Sequence, residues 1–563
     1  MRPISAADIS RDLGEEYATY LRHFVQQRAQ FRRTMASFGV PVSNDEDSPA
    51  RVAALREQLV AAGARVRNGG KSIAYGSISP ACARCRTGVK SVSEFLSLAC
   101  HRSCWFCFNE NQCDYHLYKN DKKDWRSELS AFNKSMGGLD YVALTGGEPL
   151  LLAEEACAFF TEARHDNPSA HLRLYTSGDQ LTPALLEQLR AAGLNEIRFS
   201  IKLDDAPENQ QRTWDNIRAT VDVIPTVMVE MPVVPGTHDE MLHILRELER
   251  AGAFGINLLE LCFPLHHEKA FKARGLKLKA NPYKVLYDYG YAGALPIEGS
   301  EELALQLMLE EIERGTALNL HYCSLENKNT AQIYEQNGGG AREIPLYTFS
   351  QENFFYETLR CFGDRAFALA DALEAAGCAH ALDVEGRMVQ FAPADLPAVL
   401  PLLEQGEGIA SRNGGEGNGA DDVAGSGDTA GTNSRNSAAS ADDVADADDT
   451  AGGSAGAGLG GDAGVKLFVA FGVIERDNTG AARFREVDAL VVEPCDYQAL
   501  YRICIELSPT KEDSESGFAG DSPNGASGIA KENTAKTRVA AQETGAGMKA
   551  QAVQADSTTK KEA

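Results

Sequence analysis

The stretch Tyr141-Val-Ala-Leu-Thr145-Gly146-Gly147-Glu148-Pro149 decides how the whole chain is read. A short, continuous apolar run stops at two glycines and a proline, and a helix-like stretch follows from Ala153 to Asp166. That order marks a βα unit of a parallel sheet covered on both faces. The pattern recurs on either side. Apolar runs at Phe95–Ala99, Leu172–Thr176, Ile197–Ile201, Thr226–Met231 and Ile256–Leu261 alternate with helix-like Lys123–Met136, Thr182–Ala192, Glu208–Val223 and Asp239–Ala251. Six such units predict an α/β fold, a partial (β/α)6 TIM-like barrel over Phe95–Cys262. Its chemistry is expected at the C-terminal strand ends.

Just past the first predicted strand lies Cys100-His-Arg-Ser-Cys104-Trp-Phe-Cys107. Three thiolates within eight positions can wrap one face of an iron–sulfur cube, whose four irons each take an outside ligand. One iron then stays open, with Phe106 placed to keep water from it. Zinc is the other reading of three close cysteines, with His101, Cys113 or His116 as a fourth ligand. In the Tyr141 stretch, Gly146 and Gly147 let backbone approach a ligand closely and Pro149 stiffens the exit. The Glu148 carboxylate there can accept hydrogen bonds from an ammonium group. Thr176, Ser177, Ser200 and Lys202 end the next two strands and face the same mouth.

The C-x3-C-x-aromatic-C loop, followed at this interval by Gly-Gly-Glu-Pro, resembles the radical SAM superfamily. The resemblance implies a [4Fe–4S] cluster on Cys100, Cys104 and Cys107, whose open iron chelates S-adenosylmethionine (SAM). One electron then cleaves the sulfonium, and the 5′-deoxyadenosyl radical abstracts hydrogen from substrate; that chemistry is the cofactor's. By the same resemblance Phe106, Gly146, Gly147, Glu148 and Pro149 line the cofactor site, with Glu148 on the amino group. Thr176, Ser177 and Ser200 would meet the ribose hydroxyls and Lys202 the carboxylate. The adenine is expected against Val229–Pro232 and Leu258–Glu260. A low-potential donor such as a ferredoxin or flavodoxin is the implied partner, and the substrate is a small molecule or a protein.

Two flanking elements extend the likeness. Ser79-Pro-Ala-Cys82-Ala-Arg-Cys85-Arg-Thr-Gly88 precedes the core and His321-Tyr-Cys323 follows it. They resemble a branch of the superfamily related to pyruvate formate-lyase activating enzymes, although those enzymes are shorter and lack both flanks. Cys82 and Cys85 form half of a metal or second iron–sulfur site, with His321 and Cys323 as the favoured partners. A glycyl-radical-activating role and a peptide- or cofactor-modifying role both fit this branch. The competing function is an iron–sulfur or zinc scaffold or electron carrier that does not cleave SAM; such a protein has no use for an ammonium-binding turn.

Composition bounds the rest. A net charge of −25 over 563 residues argues against a surface that coats nucleic acid. No apolar run approaches a membrane span and Met1–Asp12 lacks a signal core, so a soluble cytoplasmic protein is expected. Thirteen cysteines in that compartment suggest metal or catalysis rather than disulfides. The predicted division is a helical region over 1–75, the core with its CxxC element over 76–280, and a mainly helical extension over 281–376. A small α/β module over 377–508 follows, interrupted by a disordered acidic insertion at about 405–464, and then a disordered tail over 509–563.

Overall fold

A computed structural model describes residues 1–9, 15–112, 114–287, 294–404, 467–476 and 481–492. The expected insertion, the tail, Cys113, Cys495 and Cys504 lie outside the described residues.

The alternating core folds as a partial barrel. Its nine-stranded sheet is built from β1 (Arg65–Arg67), β2 (Ser72–Tyr75), β3 (Ser91–Phe95), β4 (Tyr141–Thr145) and β5 (His171–Thr176). It continues through β6 (Glu196–Phe199), β7 (Thr226–Val233), β8 (Gly255–Glu260) and β9 (Asn319–Cys323). The spatial order is β1-β2-β9-β8-β7-β6-β5-β4-β3. Strands β3 to β9 run parallel, and the β1–β2 hairpin adds antiparallel to β9. Helices α1 (Trp125–Met136), α2 (Ala153–Asp166), α3 (Pro183–Ala191), α4 (Pro207–Val221) and α5 (His238–Arg250) connect the strands, and α6 (Ser300–Glu313) precedes β9.

Local chemistry explains these boundaries. Prolines at the first turn start α3 and α4, and Thr182 caps α3 by accepting from the Leu185 amide at 3.2 Å. Helix α5 buries Met241, Leu242, Ile244, Leu245 and Leu248, the i, i+3, i+4, i+7 face its sequence presents to the sheet. Truncating one of these, Leu245→Ala, would cost about 2–5 kcal/mol.

The structure corrects several expectations. The first strand is Ser91–Phe95 rather than Phe95–Ala99; its partner register runs Ser91↔Tyr141 to Phe95↔Thr145. The Ser-Val-Ser-Glu run looked like loop because Glu94 is polar, yet it is buried and accepts from Lys123 at 2.9 Å. The described elements of the 281–376 segment are mainly helical, but they include barrel and second-sheet strands. His321-Tyr-Cys323 belongs to β9, so α6 and β9 extend the barrel by a further strand, too short to stand out between two long helices. Nor is 1–75 only helical: β1 and β2 complete the barrel sheet, and the first helix begins at Glu15, after a short turn at Ala6–Asp8.

A second, antiparallel sheet also begins earlier than expected. Its strands are Thr348–Phe349, Tyr356–Phe362, His380–Asp383, Met388–Phe391, Leu467–Arg476 and Ala482–Val492, joined at one edge by Arg2–Pro3. Helices Arg365–Ala375 and Leu396–Glu404 contribute Leu369, Leu373, Leu396 and Val399 to one hydrophobic cluster with this sheet. The helix Glu15–Ser37 packs Leu21 and Phe24 against Phe468 and Val491 in another. Among the described residues no helix is long and apolar enough to cross a membrane.

Candidate cofactor site

The cysteine loop leaves β3 and folds back across the end of β4. The Gly147 amide donates to the Ser97 carbonyl at 3.2 Å and the Glu148 amide to the Ala99 carbonyl at 2.8 Å. This contact is why glycine stands at both positions. A Cβ on Gly147 would lie 1.9 Å from the Ala99 carbonyl oxygen, and one on Gly146 would lie 2.6 Å from Phe95 Cβ. Asn109, on the far side of the loop, donates to the Gly146 carbonyl at 2.6 Å. Paired glycines therefore bring backbone close to the cysteine loop itself, rather than only to a ligand.

Cys100 is exposed, and Cys104 and Cys107 are half-buried. Burial raises all three thiol pKa values, while the Lys202 ammonium pulls each of them back down. Each of Cys100 and Cys104 also feels the charge of Cys107, so the thiols share one electrostatic neighbourhood. Trp105 and Phe106 pin the loop: Trp105 packs edge-on to Phe271 at 4.8 Å between centroids, beneath the Arg274 guanidinium at 4.3 Å.

Glu148, 3% exposed, is held from four directions. Thr176 Oγ1 donates to its Oε1 at 2.6 Å; Ser177 N and Ser177 Oγ donate to Oε2 at 2.7 and 2.6 Å; Leu150 N donates to Oε1 at 3.2 Å. Thr176 and Ser177 thus hold the carboxylate, instead of facing a ribose as expected. Ser200 Oγ donates to the Glu230 carbonyl at 3.4 Å. Lys202 acts on all three thiols. It lines a cavity of about 250 Å³ with Trp105, Phe106, Met231, Pro232 and Arg274, next to the thiols. Of the two stretches expected to meet adenine, the first reaches this cavity.

Sequence reasoning missed the clamp on the loop. Arg102 donates from Nε and Nη2 to the two carboxylate oxygens of Asp179, both at 2.7 Å, and also pairs with Asp205. His101 Nε2 lies 2.5 Å from Asp179, and Ser177 Oγ donates to Asp179 at 3.1 Å. Burial alone would raise the Asp179 pKa, but its bonds to His101 and Arg102 outweigh that and lower it. No local spacing announces a pair 77 positions apart.

The flanking cysteines come together differently from expectation. Cys82 lies in the helix Pro80–Arg84, where its sulfur accepts from Arg198 Nη2 at 3.1 Å. Burial pushes this thiol up, but Arg198 and His321 outweigh it and bring the pKa down to about 6. His321 Nε2 is 2.8 Å from Ser72 Oγ, and Cys323 accepts from Asn327 Nδ2 at 3.2 Å. Among the described residues no three His, Cys, Asp or Glu side chains could hold one metal ion. Cys82, Cys85 and Cys323 nevertheless feel one another's charge and His321 acts on Cys82, so the four expected ligands share one neighbourhood, in which a buried guanidinium also faces the Cys82 sulfur. A cube is a different case, since it spreads its thiolates over separate irons; Cys100 is exposed and Cys104 and Cys107 are half-buried, a donor set suited to such a cube.

Residues 96–248 match the family model described as the radical SAM superfamily. The segment runs from the strand exit before Cys100 into α5, and over it the chain is similar to that superfamily. A Methanocaldococcus jannaschii protein, MJ0021, provisionally named a glycyl-radical enzyme activating enzyme, is 25% identical over 313 residues, 53% of this chain and 78% of its own. That likeness sets the chain near the branch of pyruvate formate-lyase activating enzymes. Among solved structures, Streptococcus suis SuiB bound to precursor peptide SuiA aligns at 10% identity with a TM-score of 0.31, over 55% of this chain and 62% of that one. The Kitasatospora setae radical SAM methyltransferase TsrM, with cobalamin and a [4Fe–4S] cluster bound, aligns at 16% identity and 0.24, over 31% and 38%. The chain spans less than two thirds of either structure.

Proposed function

We propose that this protein is a radical SAM enzyme in which Cys100, Cys104 and Cys107 hold a [4Fe–4S] cluster and Glu148 receives the amino group of SAM. The observation that carries the reading is the direct bonding of the Gly146-Gly147-Glu148 turn to Ser97 and Ala99, the residues that lead into Cys100. It fixes the ammonium-binding carboxylate against the loop, close enough for Glu148 to raise the Cys100 thiol pKa. When bound, the cluster supplies one electron to the sulfonium, yielding the 5′-deoxyadenosyl radical that abstracts hydrogen from substrate.

The chain's own residues bind, orient and exclude water. Thr176 and Ser177 hold the Glu148 carboxylate in place beside the loop. Lys202 offers a cation for the methionyl carboxylate. Trp105 and Phe106 wall the cavity with apolar surface, which supports shielding of a reactive radical. Reduction falls to a low-potential ferredoxin or flavodoxin, as the superfamily likeness suggests.

Glycyl-radical activation is the role named for the M. jannaschii relative, and peptide or cofactor modification is the alternative for this chain. Anaerobic reconstitution with iron and sulfide, then dithionite and SAM, should release 5′-deoxyadenosine. A cluster that forms but releases none would support an electron carrier, and zinc in place of iron would support a scaffold.

A further inference from the structure

Below the cofactor site, the inner face of the barrel is polar. Strand alternation turns Leu172 and Leu174 to the hydrophobic core and Arg173 and Tyr175 inward. Register then sets Arg173 beside Glu196 and Tyr175 beside Arg198, while Glu230 pairs with Asn257 and Asn257 with His321. Tyr175 directly precedes Thr176, which holds Glu148, so this hollow adjoins the cofactor site.

Most of these groups satisfy one another. Arg198, 2% exposed, donates Nε to Glu196 at 2.5 Å, Nη1 to Glu230 and Nη2 to Cys82. Glu196 also accepts from Ser79 Oγ at 2.6 Å and contacts His171 Nε2 at 2.8 Å. Glu230 accepts from Asn257 Nδ2 at 2.7 Å.

Arg173 differs. It is 9% exposed, its guanidinium lies 5.0 Å from the Tyr175 ring centroid, and no described side chain or carbonyl accepts a hydrogen bond from it. Asn257 Oδ1, buried in the same hollow, also lacks a partner among the described residues. A buried guanidinium without an acceptor is costly, and such groups are normally matched. Arg198 is already engaged by Glu196, Glu230 and Cys82, which leaves the Arg173 charge without a bonded carboxylate. Cys85 is exposed in area and feels the charge of Arg173, so the guanidinium lies within electrostatic reach of the surface. Tyr175 and Glu230 likewise keep some accessible surface at depth.

We propose that Arg173 anchors an oxyanion of the substrate, so that the substrate is a small carboxylate- or phosphate-bearing molecule seated in the barrel hollow. The planar fork of Arg173 matches either group in bidentate fashion, with Asn257 Oδ1 accepting from a hydroxyl or amine of the same molecule. Calling the ligand a substrate rests on the radical SAM reading; the anion site itself does not.

The test uses the full chain, with and without reconstituted cluster, and two probes, inorganic phosphate and malonate, titrated against chloride at equal ionic strength. Melting temperature should rise saturably with one probe, and Arg173→Gln should weaken that binding at least about tenfold. Arg173→Lys, which keeps charge and loses the fork, should fall between. Saturation by phosphate alone assigns a phosphorylated substrate and by malonate alone a carboxylate. No saturable rise in the wild-type chain, or an equal rise with chloride, overturns the proposal even if the variants fail to fold. Equal binding by wild type and Arg173→Gln overturns it too. Intact anion binding without 5′-deoxyadenosine release would sink the radical reading and leave the anion site standing.

Discussion

Gly147→Ala tests the contact on which the cofactor site rests. The new methyl carbon would lie 1.9 Å from the Ala99 oxygen, 2.5 Å from the Ala99 carbonyl carbon and 2.6 Å from that of Leu98. All three are backbone atoms, so no flexible side-chain end can swing away. Ordinary contact begins near 3.4 Å, so one of the two strand ends must shift by about 1.5 Å. Overpacking of this kind costs about 1–3 kcal/mol. Gly147 has no positive φ, unlike Gly146 at +110°, so the loss cannot be blamed on backbone strain. Ala99 precedes Cys100, and a shift of about 1 Å at a reacting centre can cost 10²-fold in rate. We expect reconstituted Gly147→Ala to bind less iron and sulfide, to lose visible cluster absorbance and to release at least about 100-fold less 5′-deoxyadenosine. Gly315→Ala, where φ is +81° and nothing lies within 4 Å, serves as the control. A Gly147→Ala protein with normal iron content and normal SAM cleavage would refute the claim that the turn positions the loop.

Cys104→Ala should abolish cluster absorbance and 5′-deoxyadenosine release together, since two thiolates cannot hold the cube; a retained spectrum by visible absorption would show another ligand. Asp179→Asn removes the charge that grips Arg102, and should lower iron content and change the electron paramagnetic resonance response to SAM, with Asp179→Glu partly restoring both. A response identical to wild type would reduce Asp179 to a surface contact. Glu357 gives a pH signature: burial raises its carboxyl to about 7, against 4.5 unperturbed, with Asn353 partly opposing. Between those values the unfolded chain has shed a proton that the folded chain retains, so this contribution is full below about pH 4.5 and falls as pH rises through 7. Glu357→Gln should therefore raise the melting temperature at pH 8 and leave it unchanged at pH 4.5, with a ceiling of about 3 kcal/mol.

Most of the barrel was legible because its strands are continuous apolar runs and its helices are amphipathic. Tyr141–Thr145 and Ala153–Asp166 match the expectation residue for residue. Ser91–Phe95 and Asn319–Cys323 were obscured because their inward residues are polar and satisfied only by tertiary partners, a fact that no local pattern carries. That the Glu148 turn lies against the cysteine loop was readable from spacing. The work of Thr176 and Ser177 was not, because a strand-end hydroxyl serves a ligand and a neighbouring carboxylate equally well on paper. The Arg198–Cys82 contact joins residues 116 positions apart, so no local pattern carries it.

The pairing of Arg2–Pro3 with the strand Ala482–Val492 has a consequence for how the polypeptide is made. Synthesis runs from the N-terminus, so Arg2–Pro3 must wait until Ala482–Val492 has been made before their edge partner exists. The barrel, with its nearest-neighbour strand pairs, can close while translation continues, whereas the antiparallel sheet is left for last. A ribosome stalled shortly before residue 467 would thus hold a finished barrel tethered to an incomplete sheet, with Leu21 and Phe24 awaiting cover from Phe468 and Val491.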